Sequence, residues 1–358
     1  MKKYIINLIV LSLTLATGCE KFSLIGNDNK NVKATFCITT SNFSSLSTKA
    51  GFEVNENTIA NLWILQFDGP NDNSLLTKSE YKESITDINS LELLLNAGTN
   101  QRVVFIANSF DSGLFNQANA PISSFTYSQF KNQKISVSDE ASMFAGSTSN
   151  YLRMYGCYLG DVPNKESAII LYRICSKVHI NYISEDVSSI EDGVRFRITS
   201  VQLKNVPASS SYISNPTNST VFLPPSVIDY PVTTGTLIGT TEESYSIGDY
   251  TGSVTYYMPE NIAGINSSVG SQILKSIYAP AKATYLELKG EGIGNDGRVN
   301  EYATFKFYLG NNLTTDYNVN SNTSYSFTVR FKGLNIKDMR LEIIRISDIE
   351  VIVEEEWI

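Results

Sequence analysis

Val32-Lys33-Ala34-Thr35-Phe36-Cys37-Ile38-Thr39 alternates apolar and polar residues with a period of two. That spacing predicts a half-buried β-strand, with Val32, Ala34, Phe36 and Ile38 on one face. Ser41 to Thr48 follows, almost all Ser, Thr and Asn around Phe43 and Leu46, and it ends at Lys49-Ala50. A polar loop of this kind lets a protease reach the bond after Lys49. Two readings stand: an ordinary first core strand with its loop, or a strand placed so that it can be removed.

The 358 residues give room for two domains of ordinary size, each able to bury its own core. Twenty Tyr, 17 Phe and only 18% charged residues favour strands and turns over helices. A net charge of -8, with no basic stripe to displace counterions, argues against a nucleic-acid partner.

Lys2 and Lys3, an apolar run from Tyr4 to Leu15 and the small residues Ala16-Thr17-Gly18 precede Cys19. Residues 1–18 read as an export signal, too short for a stable membrane span. Gly18-Cys19 resembles a bacterial lipobox, with Ala16 where Leu is usual and Leu15 one place early. An acylated Cys19 would anchor the chain, and an ordinary secretory signal is the other reading. The remaining cysteines are Cys37, Cys157 and Cys175, and there is one histidine, so no metal-ligand spacing occurs. A hairpin about Pro163-Asn164-Lys165-Glu166 would set Cys157 opposite Cys175. A disulfide and two unpaired thiols are both compatible with the sequence.

Further strands are expected at Asn61 to Asp68, apolar on both faces and hence central, and at Leu91 to Leu95 with Arg102 to Asn108, read as a hairpin. A short helix is expected near Ser128 to Lys131. One long strand is expected from Ile169 to Tyr182, with Ile170, Tyr172, Ile174, Val178, Ile180 and Tyr182 inward and Arg173, Lys177, His179 and Asn181 on the polar face. No partner motif surrounds His179, which argues against catalysis there. Val194 to Leu203 changes parity at Thr199-Ser200, as at a bulge. Pro207 to Thr241 reads as surface loops with one or two short strands. Strand patterns return at Thr255 to Met258, Ala283 to Lys289, Tyr302 to Leu309 and Tyr325 to Phe331. Short strands, frequent turns and little helix indicate an all-β fold built of β-sandwiches.

Asn61-Leu-Trp-Ile-Leu-Gln-Phe-Asp-Gly69, Gly98-Thr-Asn-Gln-Arg-Val-Val-Phe-Ile-Ala-Asn108, Tyr257-Met-Pro-Glu-Asn-Ile-Ala-Gly264, Tyr278-Ala-Pro-Ala-Lys-Ala-Thr-Tyr-Leu-Glu-Leu288, and Phe307-Tyr-Leu-Gly310 with Tyr317-Asn-Val319 resemble the fimbrillins, or type V pilins, of Bacteroidales. The resemblance implies a lipoprotein precursor with two transthyretin-like sandwiches. The expected divisions are a lipidated propeptide at 19–49, an N-terminal sandwich at 50–165, a C-terminal sandwich at 166–338 and a tail at 339–358. It implies cleavage by a trypsin-like or gingipain-like surface protease between Lys49 and Ala50, where the family often has Arg. The first strand then leaves, and a C-terminal strand of a neighbouring subunit fills the groove.

The sequence contains a tail that suits this role. Met339, Leu341 and Ile343 alternate with Arg340 and Glu342, and Ile349, Val351 and Val353 alternate with Glu350, Ile352 and Glu354, with Ser347-Asp348 dividing the two halves. Pattern alone equally allows these to be the last two strands of the second sandwich. The expected function is a structural subunit of a cell-surface fimbria, an outer-membrane lipoprotein before cleavage, whose partners are its own copies or other fimbrial subunits. A surface lipoprotein or tip adhesin using the loops around Pro207 to Thr241 to bind glycan or protein is the alternative. No enzyme, cofactor or metal is expected. Asp68 with Asp72, and Glu354 to Glu356, read as turn formers and a solvated strand end, and no phosphate loop, nucleophile elbow or zinc motif occurs.

Overall fold

The computed structural model describes residues 31–42, 44–45, 54–85, 87–109, 115, 124–145, 151–163, 166–184, 194–213, 224–234, 250–294, 297–331 and 341–345. In chain order the longer strands are β1 (Asn31–Thr40), β2 (Leu62–Phe67), β3 (Leu76–Lys82), β4 (Leu91–Asn96), β5 (Gly98–Ala107), β6 (Met154–Val162), β7 (Ser167–Arg173) and β8 (Cys175–Ser184). They continue with β9 (Arg195–Lys204), β10 (Tyr250–Pro259), β11 (Asn261–Ile265), β12 (Tyr285–Ile293), β13 (Val299–Tyr308), β14 (Asp316–Val319), β15 (Thr323–Phe331) and β16 (Leu341–Arg345). The α-helices among the described residues are short, α1 (Tyr127–Lys131) and α2 (Gln272–Lys275). The fold is all-β, as the composition predicts.

Seven strands form one sheet in the order β3-β2-β5-β6-β7-β1-β4. It curls on itself, so that β1 faces β5 across a core of Ala34, Phe36, Ile38, Ile64, Leu93, Phe105, Met154 and Leu171. The Phe36 and Phe105 rings meet edge to face at 5.1 Å, a favoured arrangement for aromatic pairs. The outer face of β2 and β5 carries a second cluster, in which Trp63, Phe67 and Ile106 pack with Phe115, Tyr127 and Phe130. That is why every residue of β2 is buried, in accord with its two apolar faces.

The chain then builds a sandwich. One layer is β10-β8-β15, with Ser44–Ser45 added at its edge, and the other is β9-β12-β13-β16, with Thr233–Thr234 at the far side. Between them Phe331 meets the rings of Phe196 at 4.8 Å and Phe305 at 5.3 Å. The parity change in β9 is a bulge at Thr199, where the register against β12 shifts between Ile198 and Ser200. Helix α1 starts at Thr126, which forms a capping box with Gln129.

Three expectations are corrected. β4 and β5 do not form a hairpin: β4 pairs with β1, and β5 pairs with β2 and β6. Only Ala97 separates them, and the chain crosses between the two sides of the curled sheet there, held by Gln66, whose amide donates to the Asn96 carbonyl and accepts from the Asn96 N–H. The long strand over Ile169 to Tyr182 is two strands in two sheets, broken at Ile174. The change of sheet therefore falls after Arg173. The inward face also changes phase: Ile169 and Leu171 are buried in β7 while Ile170 is 47% exposed, and Val178, Ile180 and Tyr182 are buried in β8. Lastly, the described residues of Pro207 to Thr241 contain four short strands, Val206–Pro207 overlapping its start, then Ser209–Ser211, Val227–Ile228 and Thr233–Thr234.

Candidate functional site

β1 is inserted into the seven-stranded sheet with a different neighbour along each half of its length. Asn31 to Phe36 run antiparallel to β4, and Phe36 to Thr40 run parallel to β7. β4 has no other strand partner among the described residues. Taking β1 away would therefore leave a slot with β4 on one wall and β7 on the other. Its floor includes Phe105 and Tyr158, whose rings lie 5.1 and 5.3 Å from that of Phe36. Ala34, Phe36 and Ile38 are at most 1% exposed. Burying Phe36 and Ile38 contributes roughly 1.5–3 kcal/mol each, and the ladder hydrogen bonds about 0.5–1.5 kcal/mol each.

Beyond β1 the chain is clamped. The Ser41 N–H donates to the Leu171 carbonyl at 2.8 Å. Asn322, at the tip before β15 with φ of 52°, donates its amide to Ser41 Oγ at 3.0 Å and to the Asn42 carbonyl at 3.1 Å. The fully buried Arg173 guanidinium donates to the Ser41 carbonyl, to Asn322 Oδ1 at 3.2 Å, to the Glu56 carbonyl at 3.0 Å and to Asn57 Oδ1. Burial pulls its pKa below the ordinary value, while Cys175, Glu56 and Tyr257 act in the opposite direction. Ser44–Ser45 then pairs parallel with Thr323 and Ser324 of β15, so this N-terminal segment touches both sheets.

Among the described residues, the first element after Lys49-Ala50 in sequence is a 3₁₀ turn at Val54–Asn57. Glu56 is fastened inside the protein: its carboxylate accepts from Lys177 Nζ at 2.6 Å and from the Tyr257 hydroxyl. Both members of the Glu56–Lys177 pair have side chains under 5% exposed, so each neutralises a charge whose burial alone would be costly.

A family described as a domain of unknown function, DUF4906, matches residues 256–329. No curated protein matches the chain by sequence. Among solved structures, a fimbrilin from Porphyromonas gingivalis is 12% identical, with 88% of this chain and 96% of that one covered and a TM-score of 0.52. The chain has the fimbrillin fold. A candidate cell adhesion protein from Parabacteroides distasonis has the same arrangement at 14% identity, 88% and 96% coverage and a TM-score of 0.54. One from Bacteroides eggerthii does so at 10% identity, 85% and 87% coverage and a TM-score of 0.54. The resemblance read from the sequence thus holds at the level of the fold.

Within the fimbrillin fold, the predicted residues are distributed unevenly. Cys19, Lys49, Ala50, Met339, Ile349, Val351 and Val353 lie outside the described residues. Leu341 and Ile343 belong to β16, which pairs with β13 at the edge of the five-stranded sheet. Cys157 and Cys175 are free thiols, which removes the disulfide. The break at Ile174 explains this: Cys157 pairs across to Val104 in the first sheet, and Cys175 lies in the core of the sandwich beyond. Burial pushes the Cys175 thiol up to about 12. No group of three or more His, Cys, Asp or Glu among the described residues could hold a metal ion, and none of their helices is long and apolar enough to cross a membrane. Arg173 and Lys177, read as polar-face residues, are 0% and 3% exposed. Together with Glu56 and Asn322 they form the clamp that the sequence reading missed.

Proposed function

We propose that the protein is a structural subunit of a cell-surface fimbria and that β1 is a placeholder. It fills the core of the precursor until the bond between Lys49 and Ala50 is cut. The observation that carries this reading is the seating of β1. An N-terminal strand supplies three buried side chains and lies between two strands, one of which has no other strand partner among the described residues. A sheet recognises an incoming strand by backbone hydrogen bonds and alternation, so a C-terminal strand of another copy can take the vacated place. A heterologous contact of this kind repeats from subunit to subunit and produces an open fibre. In this reading Cys19 carries the lipid that holds the precursor at the outer membrane, and a surface protease cutting after a basic residue releases the mature subunit. The subunit works by assembly and carries no catalysis of its own.

The test is Lys49→Ala in the exporting cell, followed by N-terminal sequencing and electron microscopy of surface material. Retention of the precursor N-terminus and loss of fibres are expected. Normal mature size and normal fibres would overturn the cleavage step.

A second reading, a terminal subunit that binds glycan or protein, draws on a cleft of about 400 Å³ between the sheets. It is lined by Lys134, Ser209, Ser211, Pro224, Glu260 and Ser321, beside the loops that the sequence nominates. A subunit at the fibre end needs either no donor strand or no acceptor groove, so deleting residues 346–358, which keeps β16, separates the two. Loss of fibres indicates a stalk subunit, and unchanged fibres of normal length indicate a terminal one.

A further inference from the structure

The strand-exchange reading needs a donor, and the tail is divided by what the structure does with its first half. Leu341–Arg345 already serves its own subunit as β16, with Leu341 opposite Phe305, Ile343 opposite Ala303 and Arg345 opposite Glu301 on β13. To fill a neighbour's groove this half would have to vacate that edge. Residues 346–358 follow it and carry the second alternation, then Glu354-Glu355-Glu356. Thirteen extended residues span about 43 Å, against about 33 Å for the ten residues of β1.

The groove restricts the register. Its buried positions are small, large, large: Ala34, Phe36 and Ile38. Ser347, Ile349 and Val351 reproduce that order of sizes. Moving the tail so that Ile349, Val351 and Val353 take these places puts Ile at the buried position that Ala34 fills, and Val in place of the Phe36 ring beside Phe105 and Tyr158. One residue's shift either way buries Asp348, a shift of two in the opposite direction puts Arg345 in the Ala34 place, and a shift of four puts Glu355 in the Ile38 place. Placing Met339, Leu341 and Ile343 there sets Met in the Ala34 position and brings Arg345 toward Arg173.

We propose, resting on the strand-exchange reading, that the donor is the second half of the tail. Ser347, Ile349 and Val351 take the places of Ala34, Phe36 and Ile38, and Glu354 takes that of Ser41. When β1 leaves, Arg173 loses the Ser41 carbonyl as an acceptor, and the Asn322 amide loses Ser41 Oγ and the Asn42 carbonyl. Glu354 returns both a backbone carbonyl and a carboxylate to that point, facing a buried guanidinium, where charge-assisted hydrogen bonds are strong. The clamp that holds the placeholder thus becomes the contact that fixes the register of the donor.

Cysteine cross-linking in fibres of the full chain tests this. Glu92 is exposed and lies opposite Thr35, the place that Asp348 takes in the proposed register. Glu92→Cys with Asp348→Cys should give a ladder of intersubunit disulfides on non-reducing gels. Glu92→Cys with Glu350→Cys, or with Arg340→Cys, should give little. Adding Glu354→Lys should lower the yield of the first pair about tenfold, and Glu355→Lys, one place further on and facing out, should not. A ladder from Arg340→Cys would make the first half the donor, and one from Glu350→Cys would refute the register; both leave strand exchange intact. If no pair cross-links and fibres retain residues 31–40, strand exchange itself fails.

Discussion

Truncating Phe36 should weaken the precursor and leave the fibre untouched. Its ring is 0% exposed and meets Phe105 and Tyr158 edge to face. Phe36→Ala removes that buried ring and leaves a cavity, at a cost of about 3–5 kcal/mol. With a urea m-value of about 3 kcal/mol/M, the transition of the seven-stranded sheet should fall by roughly 1–2 M. The ring–ring contacts place the effect toward the upper end. Phe105→Ala is the control, because Phe105 belongs to β5 and remains after cleavage. Urea unfolding of the purified precursor followed by tryptophan emission suits the measurement, since Trp63 on the neighbouring β2 is buried in the same sheet. The same two variants are then processed and assembled, and the fibres are challenged with urea. Phe36→Ala fibres should dissociate at the wild-type concentration, and Phe105→Ala fibres at a lower one. Equal weakening of precursor and fibre by Phe36→Ala would mean that β1 never leaves, and the placeholder reading would fall with it.

Two further outcomes are expected of the folded core. Glu56→Gln removes the carboxylate charge that faces the Lys177 ammonium in a site where both side chains are under 5% exposed, and should cost about 3–5 kcal/mol in thermal unfolding. Glu56→Gln with Lys177→Met should recover much of that loss; no recovery would show that the pair does not act as a unit. Lys275 donates to the carbonyls of Tyr308, Leu309 and Asn312, and burial lowers its pKa from 10.5 to about 8, with Asp316 opposing the shift. Between pH 8 and 10.5 the unfolded chain therefore holds the proton that the folded chain has lost, so stability should rise with pH across that window by about 3 kcal/mol relative to Lys275→Met. A pH-independent difference between the two proteins would refute this.

Much of the fold was legible because alternation reports which faces are covered. The two apolar faces of Asn61 to Asp68 announced a central strand with packing on both sides, and the parity change at Thr199 announced the bulge. Alternation is silent about partners, however. Leu91 to Leu95 showed one buried face, and nothing in it distinguished β5 from β1 as the neighbour. The break at Ile174 was hidden for a related reason: Ile169, Ile170, Leu171 and Tyr172 are apolar on both parities, so either phase continues into Val178. Reading the wrong phase put Arg173 outside, when it is the buried centre of the clamp. A charged residue at a change of sheet carries no periodic signature, because its burial depends on acceptors contributed by Ser41, Glu56, Asn57 and Asn322, from three distant parts of the chain.

The same clamp bears on why cutting the chain need not unravel it. Arg173 holds the end of β1 through Ser41 and the 3₁₀ turn through Glu56 and Asn57. Lys49 lies between those two attachments in sequence. In the proposed cleavage after Lys49, Ser41 and the Ser44–Ser45 pairing with β15 would depart together, because both lie on the N-terminal side. Glu56 stays, tied to Lys177 and Tyr257 in the sandwich and to Arg173 at the end of β7. On the strand-exchange proposal the ion pair would act as a stop: it separates the part of the sequence whose contacts are replaceable strand contacts from the part whose contacts are side-chain specific. A donor strand can restore backbone hydrogen bonds and an apolar face, but it cannot restore a buried ion pair that was broken, so the cut has to fall before Glu56 for exchange to be close to neutral in free energy.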